Sequence, residues 1–413
     1  MSSHPQILDR LRSRTSPLSP PNGALLPDYD GFCIARIPDV IRRALGCSDQ
    51  STALGELLAN PHSQRVVLVI LDGFGYHKFH SLQRTGHIET LGELADRGAV
   101  VPLTSVFPST TVAALATYTT GQTPQEHGLI GYRLYLRETG TITNMIHLTA
   151  LGQQNEGAIR TLGLDLDTFL GGATVFDQLA AAGIATYTLL PQHITGSGLS
   201  SLLYRGCSAI HGCITWTDML TKARSILSNE SGPALVTLYW PSLDSVAHVR
   251  GPDTASYAAE ASAIDQALRR ELIDQVHGAL LLVSSDHGFV SMAPTDYVPL
   301  DSLPPLAESC LIPPLGEPRT SYLYTRQDAD MAAAAKLDHS TLWCVPSQHA
   351  MKHGLFGIGE PHPEAQYRIG DLVVTSTGTA GIAHPYGTAP KLLGMHGGLT
   401  EEEMLVPLIV SSL

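Results

Sequence analysis

The segment Val66-Val67-Leu68-Val69-Ile70-Leu71, closing on Asp72-Gly73, constrains the fold of this chain most. It is a continuous apolar run, largely β-branched, with no polar face to offer water. Such a run reads as a strand buried on both sides, as in the centre of a parallel sheet covered by helices. Similar runs recur at Ala99–Leu103, Ala185–Leu190, Ala234–Trp240, Ala279–Ser284, Leu372–Ser376 and Met404–Val410. Helical patterns, including Asp253–Gln275, lie between several of them. This alternation predicts an α/β sheet with helices on both faces. Open sheets of this kind bind ligands outside the carboxyl ends of their strands, so polar residues at those ends are the candidate site residues.

At 413 residues the chain is long for one core, which calls for an insertion or a second domain. Residues 14–28 are rich in Pro and Ser, and a short helical pattern follows through Val40, Leu45 and Leu57. Residues 1–62 are therefore expected to form a lead-in packed on the core. The pattern loosens again after Pro294, with Pro304-Pro305, Pro313-Pro314, the Ala-rich stretch Met331–Ala335 and a Gly/Pro/His-rich run at Gly354–Pro363. We read 294–385 as an inserted cap, and 63–293 with 386–413 as the catalytic domain.

Charged residues make up 15% of the chain, below the roughly 25% typical of soluble domains, which fits a compact protein with a substantial core. The net charge of -13 and the lack of any Lys/Arg run argue against nucleic-acid polymers and anionic membranes as partners. A small anionic substrate is compatible with such a surface if bound divalent cations reverse the potential locally. The six cysteines are scattered without a CxxC pair, so no disulfide framework is expected, and Cys207, His211 and Cys213 lack a fourth metal partner. The first residues have no apolar signal region and no stretch is long enough to span a membrane, so the expected location is cytoplasmic. Oligomeric state has no signature in the sequence.

Five segments put Asp, His or a hydroxyl at or near the end of an apolar run. They are Leu71-Asp72-Gly73-Phe74-Gly75, Val106-Phe107-Pro108-Ser109-Thr110-Thr111, Trp240-Pro241-Ser242-Leu243-Asp244 with His248, Ser284-Ser285-Asp286-His287-Gly288, and Gly394-Met395-His396-Gly397-Gly398. Singly each has a bland reading. Asp-Gly after a strand is usually a turn, Asp244 and His248 at i, i+4 can be a surface pair, and His396 can be a loop residue. Together the three Asp and three His supply enough ligands for two divalent cations.

In order and local context these segments resemble the type I phosphodiesterase/nucleotide pyrophosphatase family of the alkaline phosphatase superfamily. The resemblance runs from about Val66 to the C-terminus, excluding the cap. It implies an alkaline phosphatase-like α/β fold and a two-metal hydrolase of phosphodiester or pyrophosphate bonds. It further implies one metal held by Asp72, Asp286, His287 and the Thr111 oxygen, and a second held by Asp244, His248 and His396. The mixed Asp/His set suits zinc, with manganese as the alternative. Reading without gaps to Thr120-Gly121, Pro124 and His127-Gly128 puts the nucleophile at Thr111, ahead of Thr110 and then Ser109. The same hydroxyls could simply cap the helix that starts there.

Where nucleotide-cleaving members of the family carry an Asn that donates to a phosphate oxygen, this chain has Tyr132. That contact is expected from the Tyr132 hydroxyl, from Asn144, or from neither. The segment from Gly131 to Gln154 and the cap are expected to hold the rest of a small nucleotide or other phosphate-ester substrate. Tyr132, Tyr135, Phe74 and Tyr76 are candidate stacking rings. The family mechanism implies a phosphothreonine intermediate. Two other readings stand beside it: a phosphonate or phosphomonoester hydrolase on the same fold, and a metal-binding relative without catalysis. A sulfatase is disfavoured, because Cys344-Val345-Pro346-Ser347-Gln348 lacks the Arg of that nucleophile motif.

Overall fold

The computed structural model describes residues 4–413 apart from 22, 60, 154, 156–157, 338 and 387–391. The expected limit at Gln154 and part of the expected region 386–413 thus lie outside the described residues.

The central sheet has seven strands: β1 (Arg65–Leu71), β2 (Ala99–Thr104), β3 (Ala185–Pro191), β4 (Ala209–Cys213), β5 (Ala234–Trp240), β6 (Leu280–Ser284) and β7 (Leu405–Ser412). Their spatial order is β2-β7-β6-β1-β5-β3-β4. β1 lies in the middle, parallel to β5 and β6. Its side chains divide by parity, as a period of two requires. Val66, Leu68 and Ile70 enter one core with the helices Ile37–Ala44, Thr111–Thr120 and Val175–Ala181. Val67, Val69 and Leu71 enter the other with Glu89–Arg97, Trp216–Asn229 and Ala255–Leu268. Each such side chain contributes roughly 1.5–3 kcal/mol by leaving water, so both faces hold the strand in place.

Two expectations about strands change. β4 was not anticipated, because its residues alternate between exposed and covered at the sheet edge and show no apolar run. Leu372–Ser376, expected in the α/β sheet, instead joins Leu315–Glu317, Thr320–Leu323 and Leu342–Pro346 in a separate four-stranded antiparallel sheet. An apolar run reports burial, not which sheet buries it. That second sheet is tied to the first layer by buried ions. Arg319 donates from Nε and Nη2 to the two Glu403 oxygens at 2.8 and 2.6 Å and from Nη1 to the Ala380 carbonyl at 2.9 Å.

At the N-terminus, the helix His4–Arg12 sends Ile7 and Leu11 into the first core beside Tyr29. The Tyr29 hydroxyl donates to the Leu355 carbonyl at 3.0 Å and accepts from the Phe107 amide at 3.1 Å.

β1, β5 and β6 end at one level, with Leu71 opposite Trp240 and Ile70 opposite Ser284. The chain returns to the sheet through the helix Glu401–Met404, which follows the His396 loop at this same end. It can then only run back along the sheet, which makes β7 antiparallel to β2 and β6.

Candidate metal centre

The six predicted metal ligands leave four segments at the carboxyl end of the sheet. Asp72 follows β1 directly, and the turn after it needs Gly73, whose φ is +75°. A Cβ there would lie 2.5 Å from the Phe289 ring and 3.2 Å from the Asp244 backbone. Asp244 and His248 sit on one face of the helix Ser242–Arg250 that follows β5. Asp286 and His287 follow β6, and His396 lies in the loop before β7.

The structure brings all six together in two groups. Asp72, Asp286 and His287 offer ligand atoms within 4.8 Å of one another, and so do Asp244, His248 and His396. The groups adjoin, since the His287 and His396 rings stack with centroids 3.6 Å apart at 12°. Phe289 packs edge-on against His248, His287 and His396 at 5.0, 5.6 and 5.1 Å, forming an apolar wall that limits ring rotation.

Hydrogen bonds decide which atom of each ligand faces inward. Nδ1 of His248, His287 and His396 lies 2.8, 3.1 and 3.0 Å from the carbonyls of Gly394, Gly288 and Ser109. A carbonyl only accepts, so Nδ1 carries the proton and the Nε2 lone pair is left for a cation. The carboxylates divide in the same way. Tyr239 donates to Asp72 Oδ2. Asp286 Oδ1 accepts from the Gly73 amide at 3.1 Å and the His287 amide at 2.9 Å. Asp72 Oδ1, Asp286 Oδ2 and Asp244 Oδ1 are buried with no hydrogen-bond donor among the described residues. Those are the oxygens nearest the imidazoles: His287 Nε2 is 3.5 Å from Asp72 and 3.4 Å from Asp286, and His248 Nε2 is 3.3 Å from Asp244. Orphaned carboxylate oxygens facing imidazole lone pairs are costly without a cation and well matched to one. The donor set therefore fits two divalent ions.

Electrostatics carry the same message. Burial, then the charges of Asp286 and Asp244, push the Asp72 carboxyl well above its usual range, against the opposing Tyr239 bond. Burial, then His287 and His248, push His396 well below the usual imidazole value. At His248 burial is the largest single influence and lowers, but the charge and hydrogen bond of Asp244, with the Gly394 carbonyl and Glu317, together turn the net direction up. Side chains of the first group are at most 2% exposed, whereas Asp244 and His248 are 17% and 20% exposed, so solvent reaches the centre from the second group.

Among the three candidate hydroxyls the surroundings differ sharply. Ser109 Oγ donates to the Gly398 carbonyl at 2.8 Å and accepts from the Gly397 amide at 3.2 Å. Thr110 is buried and gives the helix Thr111–Thr120 no side-chain cap. Thr111 is partly exposed, and its Oγ1 lies 3.2 Å from His287 Nε2. Capping is therefore not what these hydroxyls do, and the uncapped first turn leaves amide donors beside Thr111. Farther along, His127 is a buried structural residue: Nδ1 accepts from the Leu129 amide, and burial pushes its pKa down to about 3.

The substrate-side expectations fare unevenly. Tyr132 and Asn144 touch one another, with Asn144 Nδ2 donating to the Tyr132 hydroxyl at 2.9 Å. Phe74 and Tyr76 are only 1% and 4% exposed, so neither ring can stack on a substrate; both serve the core. Tyr135 meets Tyr324 edge-on at 5.8 Å. Three neighbours went unnoticed in the sequence. Tyr239 was the phenol inside the β5 run and could have been suspected. Phe289, which follows Asp286-His287-Gly288, has only its position as a signal. Glu317 has none: its Oε1 is buried without a partner, and burial pushes its carboxyl up to about 8, close to Gly397 and Thr110.

The profile described as Type I phosphodiesterase / nucleotide pyrophosphatase matches residues 66–399. The chain belongs to this family. Among solved structures, phosphonoacetate hydrolase from Sinorhizobium meliloti 1021, in complex with phosphonoformate, superposes with a TM-score of 0.63 at 20% identity, over 85% of this chain and 90% of that one. Murine ectonucleotide pyrophosphatase / phosphodiesterase 5 gives 0.60 at 16% identity, over 84% and 88%, and the human protein 0.62 at 17%, over 84% and 87%. The murine protein is also known in an inactive form in complex with AMP. At these identities the likeness is one of fold. A comparison with curated proteins finds no match. Membership of this family makes the chain a relative of phosphoester hydrolases, and its scaffold is alkaline phosphatase-like. No helix among its described residues is long and apolar enough to cross a membrane.

Proposed function

We propose that the chain is a two-metal phosphodiesterase or nucleotide pyrophosphatase in which Thr111 attacks phosphorus. The observation that carries this reading is the pair of ligand groups, with their orphaned oxygens, closing around His287 beside the Thr111 hydroxyl. Asp72, Asp286, His287 and Thr111 would hold one cation and Asp244, His248 and His396 the other. When bound, zinc or manganese would supply Lewis-acid stabilisation of the charge that develops on the phosphoryl oxygens.

The protein's own part is orientation. Thr111 stands at the first position of a helix without a side-chain cap, so the first-turn amides can donate to a nonbridging oxygen of the bound phosphate. Attack by Thr111 Oγ1, whose proton passes to solvent, forms a phosphothreonine ester while the bond from phosphorus to the leaving oxygen breaks with its electron pair, and the leaving oxygen takes up a proton from solvent. Water then hydrolyses that ester in a second displacement. Two inversions give retention at phosphorus, and a chiral phosphorothioate that emerged inverted would remove the covalent step. The residues 294–385 act in this reading as a cap over the substrate.

The direct test is Thr111→Ala. The variant should keep its metal content and lose turnover of bis-p-nitrophenyl phosphate by at least about a thousandfold, as removal of a nucleophile does. Loss of the same size in Thr110→Ala, with Thr111→Ala active, would move the nucleophile. One observation favours a second reading, phosphonate hydrolysis: Tyr132 stands where nucleotide-cleaving relatives carry Asn, and the phosphonoacetate hydrolase shares the fold.

A further inference from the structure

Arg133 opens the strand Arg133–Leu136, directly after Tyr132 and opposite Asn144. Its guanidinium lies 4.7 Å from the centre of the Tyr132 ring and 5.2 Å from that of Tyr386. Both rings are tethered. The Tyr132 hydroxyl accepts from Asn144, whose own carbonyl oxygen accepts from the Ile146 amide at 3.0 Å. The Tyr386 hydroxyl donates to the Pro313 carbonyl at 3.1 Å. The cation is thus held in one place by aromatic faces, yet no carboxylate of the described residues lies within 4.0 Å of it. Arg319 and Arg368 show the usual arrangement in this protein, each paired with an acid at 2.6 Å. A partly buried guanidinium that is pre-oriented but unpaired keeps its fork of donors for something else.

Its position says what that is. The strand that carries Arg133 packs against Leu315–Glu317. At the end of that strand the Glu317 carboxyl abuts Gly397, next to His396. The Arg133 charge is felt at Glu317 and at His384, whose Nδ1 is likewise buried without a partner. Glu317 thus stands between Arg133 and the second ligand group, the side from which solvent reaches the centre.

We propose that Arg133 is the specificity-determining residue of an anion-binding subsite, which takes a carboxylate or phosphate group carried by the substrate beside its reacting phosphorus. Tyr132 and Asn144 then act as supports that aim the guanidinium. This rests on the function proposed above and narrows its substrate class to compounds with two anionic groups.

The test compares the metal-loaded full chain with Arg133→Gln and Arg133→Lys on three substrates. Bis-p-nitrophenyl phosphate has no second anion, ADP offers a second phosphate and phosphonoacetate offers a carboxylate, so the last two separate the sources of the charge. We expect the ratio of kcat/KM for the preferred dianionic compound to that for bis-p-nitrophenyl phosphate to fall at least about tenfold in Arg133→Gln, the scale of one lost charge-assisted hydrogen bond. The loss should appear mainly in KM, and Lys should restore only part of it, because an ammonium lacks the planar fork and the stacking face. An unchanged ratio, or an equal fall on all three substrates, overturns the subsite. If the unsubstituted protein hydrolyses none of them, the proposed function fails instead. Calorimetric binding of ADP and phosphonoacetate then decides the subsite, and equal affinity in Arg133→Gln overturns it.

Discussion

Removing the cations should destabilise the fold measurably, and by an amount that depends on pH in a definite direction. The perturbation is exhaustive chelation followed by readdition of zinc or manganese. In the metal-free protein Asp72 Oδ1, Asp244 Oδ1 and Asp286 Oδ2 are buried without donors. Each such oxygen costs about 1–3 kcal/mol, so relief of all three is worth roughly 3–9 kcal/mol. Unfolding entropy of about 2.1 cal/mol/K per residue makes each kcal/mol worth roughly 1.2 °C in a chain of 413 residues. Metal should therefore raise Tm by about 4–10 °C at pH 8. The sign with pH follows from Asp72, whose carboxyl is held above its usual range in the metal-free fold. Its burial penalty accumulates as pH rises from the unfolded value through the folded one, and protonation removes it on the way down. Protons and cations compete for the same oxygens, so the metal-induced rise should shrink toward pH 5. Scanning calorimetry on chelated and reloaded protein at pH 5 and pH 8 measures it. A Tm that does not respond to metal at either pH, or a rise that is larger at pH 5, would refute the reasoning.

Two further outcomes follow from buried charge. Arg319→Met leaves the fully buried Glu403 carboxylate without its bidentate partner and should cost about 3–5 kcal/mol in urea unfolding; a loss below about 1 kcal/mol would mean that the pair adds nothing to the attachment of the second sheet. Glu317→Gln removes a carboxyl pushed up to about 8, mainly by burial and also by Glu403, against the Thr110 hydrogen bond, His248 and Arg133. Its ordinary value is 4.5, so metal-free wild type should lose up to about 5 kcal/mol between pH 4.5 and pH 8 through this group alone. The variant should show a flatter stability profile across that window, and identical profiles would dismiss Glu317 as a destabilising group.

How much of this was legible beforehand depended on which contacts each feature needed. β1 and β5 read directly from apolar runs, because a strand covered on both faces is almost wholly apolar, Thr237 being the one hydroxyl to interrupt β5 short of Tyr239. β4 did not, since one side of an edge strand faces water. The six candidate ligands were legible only as an ordered set, each singly weak, and their meaning came from resemblance to a family. The expectation that Phe74 and Tyr76 are stacking rings fails, because the cores bury both.

The order of strand, turn and helix, and the residue types at strand ends, were already determined by the sequence, since they depend on local pattern and on burial that pattern reports. Only the tertiary structure decided which oxygen of each carboxylate lacks a donor, which imidazole nitrogen faces inward, and which hydroxyl stands beside His287. It also decided that Glu317 and Arg133, far apart along the chain, lie on strands packed together beside the centre. These depend on distances between elements that no local period encodes. A hydrogen bond that changes length by an ångström reassigns a ligand atom while leaving the pattern of apolar and polar residues untouched.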